Sequence, residues 1–210
     1  GLPTETEEDM VAIPELAEKI AERYYEIPKG QRNGKCQITT STSFFIPKPF
    51  TPFQWAGMYS NEEYISRAAI VKHAFHKQLN RKSLKYHWHD AEITVLEGVF
   101  ARGDRRCGKV IEEAYRLGCL YDAWTEVFDN EKWMKAFENT GIDIAFYNER
   151  ERSISELLPW DFIDIGVTKE FLIREWEKAK KGEITENCRE KCSGCGAAKF
   201  GGGVCIESKG

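Results

Sequence analysis

The sequence predicts an α/β fold in three parts. Residues 1–56 form one helix-and-strand step of a parallel sheet or barrel, residues 57–183 a mainly α-helical extension, and residues 184–210 a Cys-rich tail. Three observations carry this. A turn with Pro3 and a helical pattern lead into Cys36 to Ser43, a Thr-rich run with Ile38 that leads on to Phe44 and Phe45 and reads as a buried strand. The strand then runs into Phe44-Phe45-Ile46-Pro47-Lys48-Pro49-Phe50-Thr51-Pro52-Phe53-Gln54-Trp55, whose prolines each fix φ and lack an N–H, so the exit is stiff, extended and lies across something. Helical periodicity recurs from there to about residue 183 and then stops.

Thr6 is placed to cap the first helix, with Glu7, Glu8 and Asp9 in its positive first turn. Met10, Ile13, Leu16, Ala17, Ile20 and Tyr24 recur at helical spacing, and Pro14 within them is expected to kink the helix or delay its start. The pattern ends near Tyr25, before Pro28 and Gly30. Ser60 or Asn61 opens a helix to about Asn80, with Ile65, Ala69, Val71, Ala74, Phe75 and Leu79 on its buried side. Leu84 to Trp88 reads as a short strand. Asp90, Asp104, Asp129 or Asn130, Asp143 and Thr168 each stand where a helix cap belongs, and Gly118, Gly141 and Gly182 where a helix stops. Trp124, Trp133, Trp160 and Trp176 read as core.

A chain of 210 residues with 41% hydrophobic and 30% charged content has the composition of a globular protein. A net charge of −4 and a pI near 5.7 give no global reason to expect nucleic-acid or membrane binding. No apolar run approaches the roughly twenty residues of a membrane helix, and no signal peptide is visible, so a reducing cytoplasm is expected. There, seven cysteines point to metal or redox chemistry before disulfides. The first residue is a Gly within a motif, so the chain is expected to be a piece of a longer protein.

The opening GLPTETEED resembles the turn after the fifth strand of radical S-adenosylmethionine (SAM) enzymes, and FFIPKPFTPFQW resembles the end of their sixth and last barrel strand. HDAEITVLEGVFARGDRR, GIDIAFYNERERS and LPWDFIDIGVTKEFL resemble the C-terminal region of a poorly characterised subfamily that also carries a cobalamin-binding domain. The resemblance covers nearly the whole chain. It implies that residues 1–56 are the C-terminal remnant of a partial (β/α) radical SAM barrel. The full-length enzyme would cleave SAM reductively with a 4Fe–4S cluster, using an electron donor such as ferredoxin or flavodoxin. Cobalamin would belong to the missing N-terminal part. By resemblance, Gly1 and Glu5 match the fifth-strand motif near SAM, and Ile46 and Pro47 match the end of the sixth strand, on the adenine side. Without the other barrel strands the polypeptide is expected to be catalytically inert alone, its first partner being the remainder of its own chain.

Cys188, Cys192, Cys195 and Cys205 form the strongest local signal. Thiolates are soft ligands, and a short loop wraps one cation or iron–sulfur cluster only when they are closely spaced. C-x3-C-x2-C with a fourth Cys after nine more residues meets that need, and nearby glycines permit the wrap. The plainer reading is a tail of free thiols. Zinc and an iron–sulfur cluster both remain open, since zinc sites favour paired Cys-x2-Cys knuckles and one is present. The spacing is also that of the radical SAM cluster motif, but in the family that motif precedes the barrel and carries an aromatic before its last Cys, where this chain has Gly194. Cys36, Cys107 and Cys119 read as core or half-buried residues.

His87 and His89 are two apart in a strand, so both imidazoles can meet one metal, with Asp90, Glu92 and Glu97 as the nearby carboxylates. The plainer reading is a polar strand end with Asp90 as a cap. Arg102, Arg105 and Arg106 around a helix start could receive a carboxylate or phosphate, or could form a salt-bridged turn. Asp161 and Asp164 read as caps or substrate contacts. Two other functions stay open beside the radical SAM enzyme: a stand-alone Cys-cluster module for a protein or RNA partner, and a His-x-His metal-dependent hydrolase.

Overall fold

Thr6 opens helix α1 (Glu7–Glu26) with a reciprocal cap: its hydroxyl accepts the Asp9 N–H at 3.3 Å and the Asp9 carboxylate accepts the Thr6 N–H at 2.8 Å. The computed structural model describes residues 1–200. Pro14 is buried inside α1 and neither delays nor ends it; the ladder bond it forgoes is outweighed by the packing of Met10 and Ala17 on Val71 and Phe75. Strand β1 (Ile38–Thr42) follows, then α2 (Asn61–Lys77), capped reciprocally by Ser60 and Glu63, and β2 (Leu84–Trp88).

β1 and β2 pair in parallel, Ile38 opposite Leu84 and Thr42 opposite Trp88, with α2 as the crossover between them. The strand expected to be the last therefore has a successor. Leu84 to Trp88 is legible as a strand, but its partner is not, and the sheet joins residues on both sides of the division expected near 56. Ile38, Leu84 and Tyr86 face α1 and α2. Thr39, Ser41, Lys85 and His87, on the opposite side by the two-residue alternation, are exposed.

The proline-rich exit lies across the last helix. Phe45, Phe50 and Phe53 pack with Trp55, Trp160, Leu172 and Trp176, the last two on α7 (Lys169–Lys180). Gln54, buried here, takes the Phe50 N–H at 3.0 Å and the Trp160 indole N–H at 2.7 Å on one oxygen. Between these ends lie α3 (Ala91–Arg102), α4 (Gly108–Arg116), α5 (Asn130–Thr140) and α6 (Ile144–Asn148), which share a core of Val99, Val110, Trp133, Phe137 and Tyr147. The fold is mixed α/β and mostly helical. Asp90, Asp129, Asp143 and Thr168 cap α3, α5, α6 and α7 as expected, and Gly118, Gly141 and Gly182 all have positive φ.

Four apolar expectations fail. Trp124, in the irregular segment between α4 and α5, is 66% exposed. Ile65, Ala69 and Leu79 are also exposed; α2 buries Tyr64 and Ala68 instead, beside Val71, Ala74 and Phe75 as expected. Among the described residues no helix is long and apolar enough to cross a membrane.

Candidate functional site

Parallel sheets bind ligands at the carboxyl ends of their strands. At that end of β1 a cavity of about 270 Å³ is walled by Thr42, Ser43 and Phe44, by Gly1 and Glu5 ahead of α1, by Met10 and Ile13 on α1, by Arg67, Ala68 and Val71 of α2, and by Tyr86. The Glu5 carboxylate thus shares the cavity with the apolar stripe of α1.

Glu5 is the cavity's anion. Its Oε2 lies 3.4 Å from Arg67 Nη1. Arg67 is fixed in turn: its Nη2 donates to the Tyr59 hydroxyl at 2.7 Å, and its guanidinium lies 3.9 Å from the Tyr59 ring centroid. The Tyr86 hydroxyl shares a 2.8 Å hydrogen bond with Thr42 Oγ1, and burial raises its pKa above the ordinary phenol value. Behind the cavity Tyr64 donates to the Phe45 carbonyl at 2.7 Å, and burial pushes its hydroxyl up to about 12. The tyrosines therefore hold their protons at neutral pH. This arrangement suits binding: a half-buried carboxylate for a cationic or hydroxyl group, small hydroxyls at the strand end, and the Phe44 ring.

The residues expected around SAM divide. Gly1 and Glu5 line the cavity, whereas Pro47 is fully buried and Ile46 packs with Phe44, Met58, Tyr64 and Ala91. Ile46 and Pro47 thus serve the core. Arg67, Thr42 and Tyr86 were not singled out from sequence. Nothing local marks them; only the pairing of β1 with β2 brings them together.

Arg102, Arg105 and Arg106 stand in three different settings. Arg102 is fully buried, with Nη1 donating to the Asn148 carbonyl at 3.0 Å. Arg106 folds back on Asp104 through two of its nitrogens, holding that carboxyl down at about 2, and Arg105 is exposed. The salt-bridged turn is the better description, and the buried Arg102 is no part of a surface receptor. Asp161 accepts the Leu158 N–H and Lys169, and Asp164 the Gly166 N–H, so both brace the turn before α7.

His87 and His89 are exposed; Asp90 spends one oxygen on the N–H groups of Glu92 and Ile93. Cys188 and Cys192 are exposed and Cys195 half-buried, its sulfur accepting the Ala197 N–H at 3.4 Å. Cys205 lies outside the described residues. Among the described residues no three His, Cys, Asp or Glu side chains are already gathered as a metal site. A larger, open groove of about 540 Å³ lies between the start of α2 and helices α3, α5 and α6, and holds none of the candidate ligand- or metal-binding residues.

No family model matches the chain, and no solved structure matches it. An uncharacterized protein of Methanocaldococcus jannaschii is similar to it, 25% identical over 143 residues, which is 68% of this chain. The aligned stretch spans 28% of that relative's length.

Proposed function

We propose that this chain is the closing segment of a radical SAM enzyme, the wall of a (β/α) barrel whose other strands belong to the rest of the parent polypeptide. The reading rests on the bare face of the sheet. Parallel strands occur almost only where both faces are covered. Here α1 and α2 cover one face, while Thr39, Ser41, Lys85 and His87 leave the other polar and open. A second helical layer would call for Val, Ile and Leu on that face. Small and polar side chains suit a lumen that holds a ligand. Ser41 and His87, opposite one another in register, would stand toward its carboxyl end.

A second feature agrees with this. Leu16 and Ile20 of α1, and Ile27 just beyond it, form an exposed apolar stripe at helical spacing, as expected of a helix whose neighbour in the ring precedes it. In this reading the cluster and SAM supply the radical, and the chain's own contribution is to orient and enclose. Glu5, steadied by Arg67, offers a carboxylate to a cationic group at the barrel mouth. No acid–base step is assigned to it.

The test is anaerobic reduction of the reconstituted parent polypeptide with SAM, reading 5′-deoxyadenosine by chromatography. Turnover is expected, with Glu5→Gln raising the SAM concentration needed. A parent polypeptide that takes up its cluster yet neither binds nor cleaves SAM would overturn the reading.

A further inference from the structure

We infer that the loop from Cys188 to Cys195 is a thiolate metal site docked on the N-terminus of α7, so that loading it with a thiophilic cation (zinc, or iron with sulfide) clamps α7 to the tail. The proposal does not depend on the barrel or on SAM.

Three observations carry it. First, the backbone around Cys195 is already shaped as a metal-bound thiolate requires. The Ala197 N–H points at Cys195 Sγ at 3.4 Å, and amide donors of this kind stabilise thiolate ligands and set their electronic character. The turn that aims it depends on Gly196, with φ of 93°, at a place where a Cβ would come within 2.6 Å of the Gly166 carbonyl oxygen and 2.8 Å of the Thr168 methyl. Gly194, with φ of 68°, turns the chain between Cys192 and Cys195. Free thiols in an unstructured tail need neither glycine.

Second, the loop is fastened to α7 at several points. Thr168, the cap of α7, receives the Phe171 N–H on its hydroxyl at 3.2 Å and gives its own N–H to the Cys195 carbonyl at 2.9 Å. Arg174, one turn further on, donates to the Ser193 carbonyl at 2.5 Å, and Lys199 pairs with Asp164 just before the helix. A ligand loop held this way transmits its order directly to the first turns of α7.

Third, there is room at the loop. A cavity of about 360 Å³ opens beside Cys192, lined by Arg174, Lys178, Lys191 and Glu186, with Lys178 3.4 Å from Glu175 and Lys191 3.2 Å from Glu186. Among the described residues the three thiols are not gathered with one another, and loading would draw them together on the cation.

The full chain, purified under reducing, oxygen-free conditions, is loaded in separate arms with zinc and with iron plus sulfide, then desalted. The expected result is retention of about one zinc, or of about four irons with a brown charge-transfer band, per chain. Replacing Cys36, Cys107 and Cys119 by Ser should leave that stoichiometry intact; Cys192→Ser with Cys195→Ser should abolish it while far-ultraviolet circular dichroism stays unchanged. Hydrogen exchange at amides 168–172 should slow on loading. Absence of bound metal in both arms, or equal retention by the double Ser variant, overturns the site. Metal retained with unchanged exchange at the start of α7 overturns the clamp.

Discussion

Arg102 is the residue whose role the sequence hides most completely. In the chain it reads as the first of several surface arginines, yet its side chain is fully buried beside that of Arg152, with no carboxylate on either. Their hydrogen bonds go to helix C-terminal carbonyls: Arg102 to Asn148 at the end of α6, and Arg152 to Arg102 itself at the end of α3, at 2.9 Å. The negative ends of two helix dipoles thus stand in for a counter-ion. They do so incompletely, since Arg102 Nε and Nη2 and Arg152 Nε have no hydrogen-bond partner among the described residues. Burial, with the Arg152 and Arg150 charges adding to it, pushes Arg102 down to about 10. A cation whose folded pKa lies below its unfolded one costs stability at every pH below the folded value, and the cost fades as pH rises from about 10 toward the ordinary guanidinium range. At neutral pH the buried charge is therefore a burden, and its volume is the asset. Arg102→Met keeps most of the volume and removes the charge, and the Asn148 carbonyl keeps its 2.7 Å bond from the Met58 N–H. It should leave unfolding free energy within about 1 kcal/mol of the natural chain, whereas Arg102→Ala should cost about 3 kcal/mol through the cavity it opens. Urea titration of the two variants separates these; equal losses would mean that the hydrogen bond, not the filled space, is what matters.

At the scale of elements, local grammar was readable and the contacts were not. Caps announce themselves because the cap, the acidic first turn and the closing glycine lie within one stretch of chain, as at Thr6, Asp90 and Gly141. Strand β2 announces itself too, but its pairing with β1 depends on residues more than forty positions earlier, and so does the assembly of Glu5, Thr42, Arg67 and Tyr86 around one cavity. The Cys tail was visible as spacing; its seat on Thr168 and Arg174 was not. Gly57 is the sharpest instance. Nothing in Trp55-Ala56-Gly57-Met58 marks it as more than a turn residue. In the fold a Cβ there would stand 2.2 Å from the Glu149 carbonyl oxygen, where the exit from β1 crosses the end of α6. The Met58 N–H bond to Asn148 and the Arg152 N–H bond to Trp55, at 2.7 and 2.8 Å, hold the two backbones at that distance, so neither can retreat cheaply. Gly57→Ala should lower stability by about 2 kcal/mol, readable as a drop in melting temperature. A melting temperature within a degree or so of the natural chain would show that the crossing is not rigid.

For the molecule as a whole, the exposed flank of α1 separates a self-sufficient fold from a wall awaiting its neighbours. Leu16 and Ile20 are 62% and 51% exposed and lie four residues apart, on a face that neither α2 nor the sheet reaches. Scattered surface leucines mean little. These two share one stripe with Ile27, beside a parallel sheet with one uncovered face. If the stripe is only surface, Leu16→Lys with Ile20→Glu changes nothing anywhere, since exposed substitutions shift stability by no more than about 0.5 kcal/mol. If a preceding barrel helix covers it, the same pair must be silent in the chain studied alone and damaging in the parent polypeptide. There it would bury two charges against an apolar partner and lower stability by several kcal/mol. Melting curves of both polypeptides, each with and without the two substitutions, give four numbers. The barrel reading requires the fall in one pair and its absence in the other. Equal behaviour in both would mean that α1 completes its packing within this chain, and that the bare face of the sheet needs another explanation.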